Sequence, residues 1–135
     1  MNIELSELEY RRLLDIVYIG NWILNSARAS DRIEDYDHLQ SKIFSYCGGL
    51  DMNGLFEKLG SEFLPSAAFE NGGIHEAIAD YEDTVFFEIL AEELAKRDMA
   101  REAIGPENFI ELTRRVDEYI DEFELNGMEN ITLTK

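Results

Sequence analysis

The sequence contains a single cysteine, Cys47, among its 135 residues. One cysteine excludes a disulfide within the chain, which is typical of a protein from a reducing compartment. The longest mainly apolar run, residues 13–24, is shorter than the roughly 20 residues of a membrane-spanning helix and includes Asp15. Residues 1–7 are acidic and lack the basic segment of a signal peptide. We therefore expect a cytoplasmic protein without a membrane partner.

Basic residues are also scarce. The chain has 12 Lys and Arg against 29 Asp and Glu, which gives a formal net charge of -17. Such a charge repels phosphate backbones, so direct binding to nucleic acid is disfavoured. The opposite possibility stays open: rows of carboxylates can imitate DNA and inhibit a basic nucleic-acid-binding protein. An acidic surface can equally serve solubility alone.

Recognisable catalytic motifs are absent from the sequence: it contains no glycine-rich phosphate loop, no paired CxxC and no GxSxG elbow. Its two histidines are His38 and His75. Asp35 and His38 have the three-residue spacing used by di-iron helices, but the second such pair that a di-iron site needs is missing. We predict no catalytic residue, no metal site and no cofactor. The sequence does not decide whether the protein is an enzyme, and it favours a protein without enzymatic activity.

Hydrophobic residues make up 45% of the chain, which is enough for a packed core. The clearest helix covers residues 7–27, because Ser6 can cap it while Glu9 reaches back to the Ser6 amide. Helical periodicity predicts a buried face with Gly20 near its centre, where a second helix can approach closely. That face comprises Leu13, Ile16, Val17, Gly20, Ile23 and Leu24.

The opposite stripe of the same helix begins polar and becomes aromatic. It carries Arg11, Asp15, Tyr18, Trp22 and Asn25. A helix that is apolar nearly all round is usually buried. The helix is therefore either covered on two sides, or it presents Tyr18 and Trp22 to a partner. We take Tyr18 and Trp22 as the candidate interaction residues.

Further helices are predicted at residues 33–47, 52–59, 83–104 and 106–125, with a helical turn or two at 74–81 and a folded-back loop at 60–73. Cys47 projects inward as a small buried thiol. Residues 2–5 and 130–134 alternate as short extended segments that could pair. The fold class we predict is all-α: a compact antiparallel bundle of about five helices in a single domain of residues 1–135, with the first helix at its centre.

Two arginines follow an apolar stripe in the helix predicted at 83–104. The stripe of Phe86, Phe87, Leu90 and Leu94 leads onward to Arg97 and Arg101, where further leucines would be expected. Arginine in such a position needs an acidic or carbonyl partner. Arg97 and Arg101 form either structural ion pairs with neighbouring acids or an anion site for a small ligand.

These patterns favour a non-enzymatic protein-interaction module whose partner is another protein or a second copy of the chain in a homodimer. The alternative is a small-molecule- or metal-dependent enzyme with an anion site at Arg97 and Arg101. DNA mimicry is the second alternative. A concave pocket with convergent polar groups would favour an enzyme, whereas an exposed apolar patch would favour the interaction module.

Overall fold

The computed structural model describes residues 1–134. The chain is mostly helical with one small two-stranded sheet, which confirms the predicted helical class in its coarse form. It divides into two compact units, Met1–Ile78 and Ala79–Lys135, called here the N-terminal and C-terminal units. Among the described residues, no helix combines the length and apolarity needed to cross a membrane.

The longer helices are α1 (Glu7–Asn25), α2 (Glu34–Phe44), α4 (His75–Asp98) and α5 (Phe109–Asn126). Two 3-10 segments, Ser45–Leu50 and Asn53–Leu55, follow α2 and lead into strands β1 (Phe56–Leu59) and β2 (Glu62–Pro65). The one-turn helix α3 (Ala67–Phe69) and a π-helical segment (Glu70–Ile74) precede α4. Helix α4 begins in the N-terminal unit and continues in the C-terminal unit.

The predicted start of α1 is confirmed. The Glu9 amide donates to Ser6 Oγ at 3.2 Å, and the Ser6 amide donates to Glu9 Oε2 at 2.8 Å. These reciprocal bonds satisfy two backbone N–H groups that have no partner inside the helix. The start of α1 therefore follows from residues that are adjacent in sequence.

The buried edge of α1 differs from the predicted face. Tyr10, Leu14 and Tyr18 are buried, and they form one core cluster with Phe44, Cys47 and Phe69. Ile16, Ile23 and Leu24, which were predicted to be buried, are exposed. Within the N-terminal unit, a Cβ added at Gly20 would meet no atom closer than 4 Å, so no close helix approach occurs there. The predicted face was wrong because the run is apolar on both sides and periodicity alone does not choose between them.

The helix predicted at residues 52–59 is replaced by a short 3-10 segment followed by the first strand of a β-hairpin. Strands β1 and β2 pair antiparallel, with Phe56 opposite Pro65 and Leu59 opposite Glu62. Gly60 turns the chain between them with a φ of 61°, a conformation that glycine adopts without a steric penalty. The Phe56 and Phe63 ring centroids lie 5.5 Å apart on the hairpin. The helix prediction was wrong because periodicity does not distinguish a helix from a strand in a segment this short.

The possible pairing of the extended segments at the two termini is not found among residues 1–134. Residues 1–6 and 130–134 have no strand structure. Both are short alternating stretches, and such patterns need a packed face beneath them to form a sheet. The helix predicted at 33–47 is nearly right: α2 ends at Phe44, and Cys47 is fully buried in the 3-10 segment that follows, as predicted.

The C-terminal unit contains the rest of α4 and all of α5. Phe87 of α4 packs against Phe123 of α5 with ring centroids 5.3 Å apart. Helix α4 ends at Asp98 and not at the predicted residue 104. Ala100 and Arg101 each have a φ of 56°, and this left-handed conformation stops a right-handed helix.

The choice of buried edge in α1 predicts a contrast between two leucines of the same helix. Leu14→Ala should lower the free energy of unfolding by about 2 to 5 kcal/mol, because it leaves a cavity in the core. Leu8→Ala should change it by less than about 0.5 kcal/mol in the monomer, since Leu8 is exposed there. Urea unfolding followed through Trp22 fluorescence measures both. Equal losses in the two variants would contradict the observed orientation of α1.

Candidate functional site

A cleft of about 310 Å³ opens beside the C-terminal half of α1. Its volume is at the lower end of the range for small-molecule sites, roughly 300 to 1,000 Å³. We call it the Trp22 cleft. It is lined by Tyr18, Asn21, Trp22, Ser26, Arg32, Gln40, Pro65 and Glu70. All of these residues belong to the N-terminal unit.

Both candidate interaction residues, Tyr18 and Trp22, line this cleft. Tyr18 is buried in the core and Trp22 is partly buried, and their ring centroids lie 6.2 Å apart in a stacked arrangement. His75 meets the Trp22 ring edge-on at 4.8 Å. The pair therefore forms the wall of a concave site and not a flat surface. Their role in binding stays a prediction.

The Tyr18 hydroxyl and His75 Nε2 form a hydrogen bond of 2.7 Å. Burial raises the pKa of Tyr18 to about 12, and the nearby negative charge of Glu70 acts in the same direction. The hydroxyl is therefore neutral at physiological pH. Whether it donates or accepts depends on the tautomer of His75.

The contact of His75 with Tyr18 and Trp22 was not predicted from the sequence. The π-helical segment Glu70–Ile74 contains Gly73 with a φ of 109°, and this bend brings His75 against α1. The pair Gly72 and Gly73 was the available signal, because consecutive glycines allow backbone turns that other residues resist. By contrast His38 is exposed on α2.

A buried amide network lies at the C-terminal end of α1. Asn25 is fully buried; its Oδ1 accepts from the Ile33 amide at 2.7 Å, and its Nδ2 donates to the Ile33 carbonyl at 3.1 Å. The same Nδ2 donates to Asn21 Oδ1 at 2.7 Å, and Asn21 Nδ2 donates to Asp37 Oδ1 at 3.0 Å. This chain of bonds connects α1 to the loop before α2 and to the first turn of α2.

Arg32 is held in place by the same network. Its Nε and Nη2 donate to the two carboxylate oxygens of Asp37 at 2.9 and 2.7 Å, and its Nη1 donates to the Asn25 carbonyl at 3.4 Å. The hydrogen bonds from Arg32, followed by the bond from Asn21, lower the pKa of Asp37. A guanidinium has five N–H groups. Two of them are consequently left without a partner among residues 1–134.

A second surface lies on the other side of α1. Leu8, Ile16 and Ile23 are 66%, 68% and 65% exposed. With Arg12 and Gly20 they follow one another at spacings of three or four residues, which places them along one side of a helix. We call this set, Leu8, Arg12, Ile16, Gly20 and Ile23, the outer row. The outer row therefore exposes three large apolar side chains on one side of α1.

The two arginines singled out in sequence lie in the C-terminal unit beside acidic groups. Arg97 Nη2 donates to Asp98 Oδ1 at 2.8 Å, and the Tyr119 hydroxyl donates to the other oxygen of Asp98. The Tyr119 bond, followed by the Arg97 bond, lowers the pKa of Asp98. Arg101 Nη1 donates to Glu93 Oε2 at 3.3 Å. Each guanidinium thus has a carboxylate partner, and an anion site at Arg97 and Arg101 stays a prediction.

The Arg32 pair predicts a specific pH dependence of stability. The pKa of Asp37 is lower in the folded than in the unfolded chain, so its contribution is complete above the ordinary aspartate pKa of about 3.9. The contribution is lost as the pH falls through the folded-state value. Asp37→Asn should lower the free energy of unfolding by about 1 kcal/mol at neutral pH, since the pair is partly solvated. The difference from the parent protein should shrink below about pH 4.

Asp35→Asn is the matched control, because Asp35 lies in the same first turn of α2 and is exposed. Urea unfolding at a series of pH values compares the two variants. A deficit of Asp37→Asn that stays constant down to pH 2, or an equal effect of Asp35→Asn, would contradict the assigned role of the pair.

Comparison of the chain with protein-family models, with curated proteins and with solved structures finds no match. A function therefore has to be argued from the geometry of this chain. Two surfaces along α1 are candidates for binding: the Trp22 cleft on one side and the outer row on the other.

Proposed function

We propose that this protein is a non-enzymatic interaction module that self-associates through the outer row of α1. The observation that supports it is the exposure of Leu8, Ile16 and Ile23 on one side of a single helix. Burying such side chains stabilises an association by removing apolar surface from water. We keep the predicted cytoplasmic location as part of this proposal. The proposal moves the contact surface away from Tyr18, because Tyr18 belongs to the core.

The centre of the outer row, from Arg12 to Gly20, matches itself in an antiparallel pairing. A two-fold axis at Ile16 would place Ile16 against its own copy and Leu8 against Leu24, which is also exposed. Arg12 of one copy would then lie over Gly20 of the other. Since Gly20 has no side chain, its surface leaves room for the apolar stem of Arg12. Interfaces of this isologous kind are the commonest in homo-oligomers.

Net charge determines how this association responds to salt. Each copy carries a formal charge of -17, so two copies repel one another at low ionic strength. Salt screens that repulsion while apolar contacts persist. Self-association through the outer row should therefore strengthen with salt, whereas binding to a basic partner would weaken.

Sedimentation velocity over a protein dilution series at low and high NaCl tests the proposal. The parent chain should shift toward dimer as protein and salt concentrations rise. Ile16→Asp should remain monomeric throughout, because it places a charge at the centre of the contact. Ile110→Asp is the matched control: Ile110 is 79% exposed on α5, and its variant should behave as the parent.

Several outcomes would overturn the proposal. A parent chain that is monomeric at every concentration and salt level has no such interface. Association that weakens with salt, or that survives Ile16→Asp, comes from other groups. Circular dichroism of the three proteins establishes that the variants are folded.

A further inference from the structure

The lining of the Trp22 cleft includes two oppositely charged side chains, Glu70 and Arg32. Glu70 lies close enough to Tyr18 to raise its pKa. Arg32 contacts the Asn25 carbonyl at 3.4 Å. Residues 18 and 25 are about 10 Å apart along the axis of α1. Glu70 and Arg32 therefore approach α1 at positions about two helical turns apart, and both line the cleft.

Besides these charged groups the cleft offers an aromatic wall and unpaired polar groups. Trp22 lies one helical turn beyond Tyr18, and Pro65 and Gln40 also line the cleft. Neither the Trp22 indole N–H nor the Gln40 amide has a hydrogen-bond partner within residues 1–134. A few such polar groups on a partly apolar wall are what orients a small ligand.

Arg32 is preorganised for a carboxylate. Asp37 holds one edge of its guanidinium through two hydrogen bonds, 2.9 and 2.7 Å long. One N–H group is left over on each of Nη1 and Nη2, and these can donate to a ligand carboxylate as charge-assisted hydrogen bonds. Because the side chain is already fixed, less conformational entropy is lost when the ligand binds.

The charge of the whole chain argues against a simple anion as the ligand. At a formal charge of -17 the protein repels free anions, whereas a molecule of zero net charge is not repelled. Glu70 supplies a partner for an ammonium group. We infer that the Trp22 cleft binds a small dipolar molecule, with its carboxylate on Arg32 and its ammonium group toward Glu70.

A free dipeptide is a simple probe of this class. Extended, it spans roughly 7 Å between its charged ends, and a hydrogen bond at each end extends this to the separation of residues 18 and 25 along α1. The inference is independent of the outer row, because none of the lining residues belongs to that row. If the chain does not self-associate, the inferred binding of a dipolar molecule in the Trp22 cleft is not affected.

Trp22 is the only tryptophan of the chain, so its fluorescence reports directly on this cleft. We expect a saturable change when the full chain is titrated with glycyl-leucine, which does not fluoresce. N-acetyl-glycyl-leucine lacks the ammonium group and glycyl-leucinamide lacks the carboxylate. Each should bind at least about tenfold more weakly than the free dipeptide.

Variants test the roles of the two charged side chains. Glu70→Gln should weaken binding of glycyl-leucine about tenfold or more while leaving the acetylated form unaffected. Arg32→Lys keeps the positive charge but loses the planar guanidinium group. It should weaken binding of the free dipeptide while leaving binding of glycyl-leucinamide unaffected. Glu57→Gln is the control, since Glu57 is exposed on β1 and lies outside the cleft. Circular dichroism establishes that each variant is folded.

Three results would overturn the inference. The first is the absence of any saturable change up to millimolar glycyl-leucine. The second is equal binding of the free and acetylated dipeptides, which would indicate an anion site only. The third is equal affinity of Glu70→Gln and Glu57→Gln for glycyl-leucine.

Discussion

The fully buried amide of Asn25 is the interaction on which the polar side of the N-terminal unit depends. It pairs with both the N–H and the C=O of Ile33, much as a neighbouring strand would. Removing the amide would leave the N–H and C=O of Ile33 and the Oδ1 of Asn21 without these partners, which is costly for groups shielded from water. Helix α2 begins at the next residue and has no side-chain cap of its own. The position of Asp37, and through it the position of Arg32, therefore follows from a side chain that does not itself line the cleft.

Polar groups at the ends of aromatic side chains explain why α1 buries the edge it does. The Tyr10 hydroxyl donates to the Ile43 carbonyl at 2.7 Å, and the Tyr18 hydroxyl pairs with His75. A buried tyrosine stabilises a core when its hydroxyl finds a partner. Ile16 and Ile23 bring no such requirement, so exposing them costs only apolar burial. With both sides of the helix apolar, the side with hydrogen-bonding partners is the one that packs.

The structural features that could be predicted from the sequence are those that depend on residues close together in the chain. The capping pair Ser6 and Glu9, the inward position of Cys47 and the exposed His38 each follow from local spacing. The buried edge of α1 depends instead on carbonyl and imidazole partners 33 and 57 residues away, which no periodicity reveals. The hairpin was missed because its two strands hold only four residues each and its turn resembles a helix end.

The candidate site also combines a residue that the sequence identified with residues that are distant in sequence. Trp22 could be identified from its stripe on α1, but Arg32, Glu70 and His75 reach it from three separate segments. Tyr18 and Trp22 face the cleft, while Ile16 and Ile23 of the same helix form the outer row. A ligand in the cleft changes an association at the outer row only if α1 has two arrangements that the ligand binds with different affinities. Because the buried edge of α1 is fixed by aromatic packing and by the Asn25 network, the two surfaces should act independently of each other.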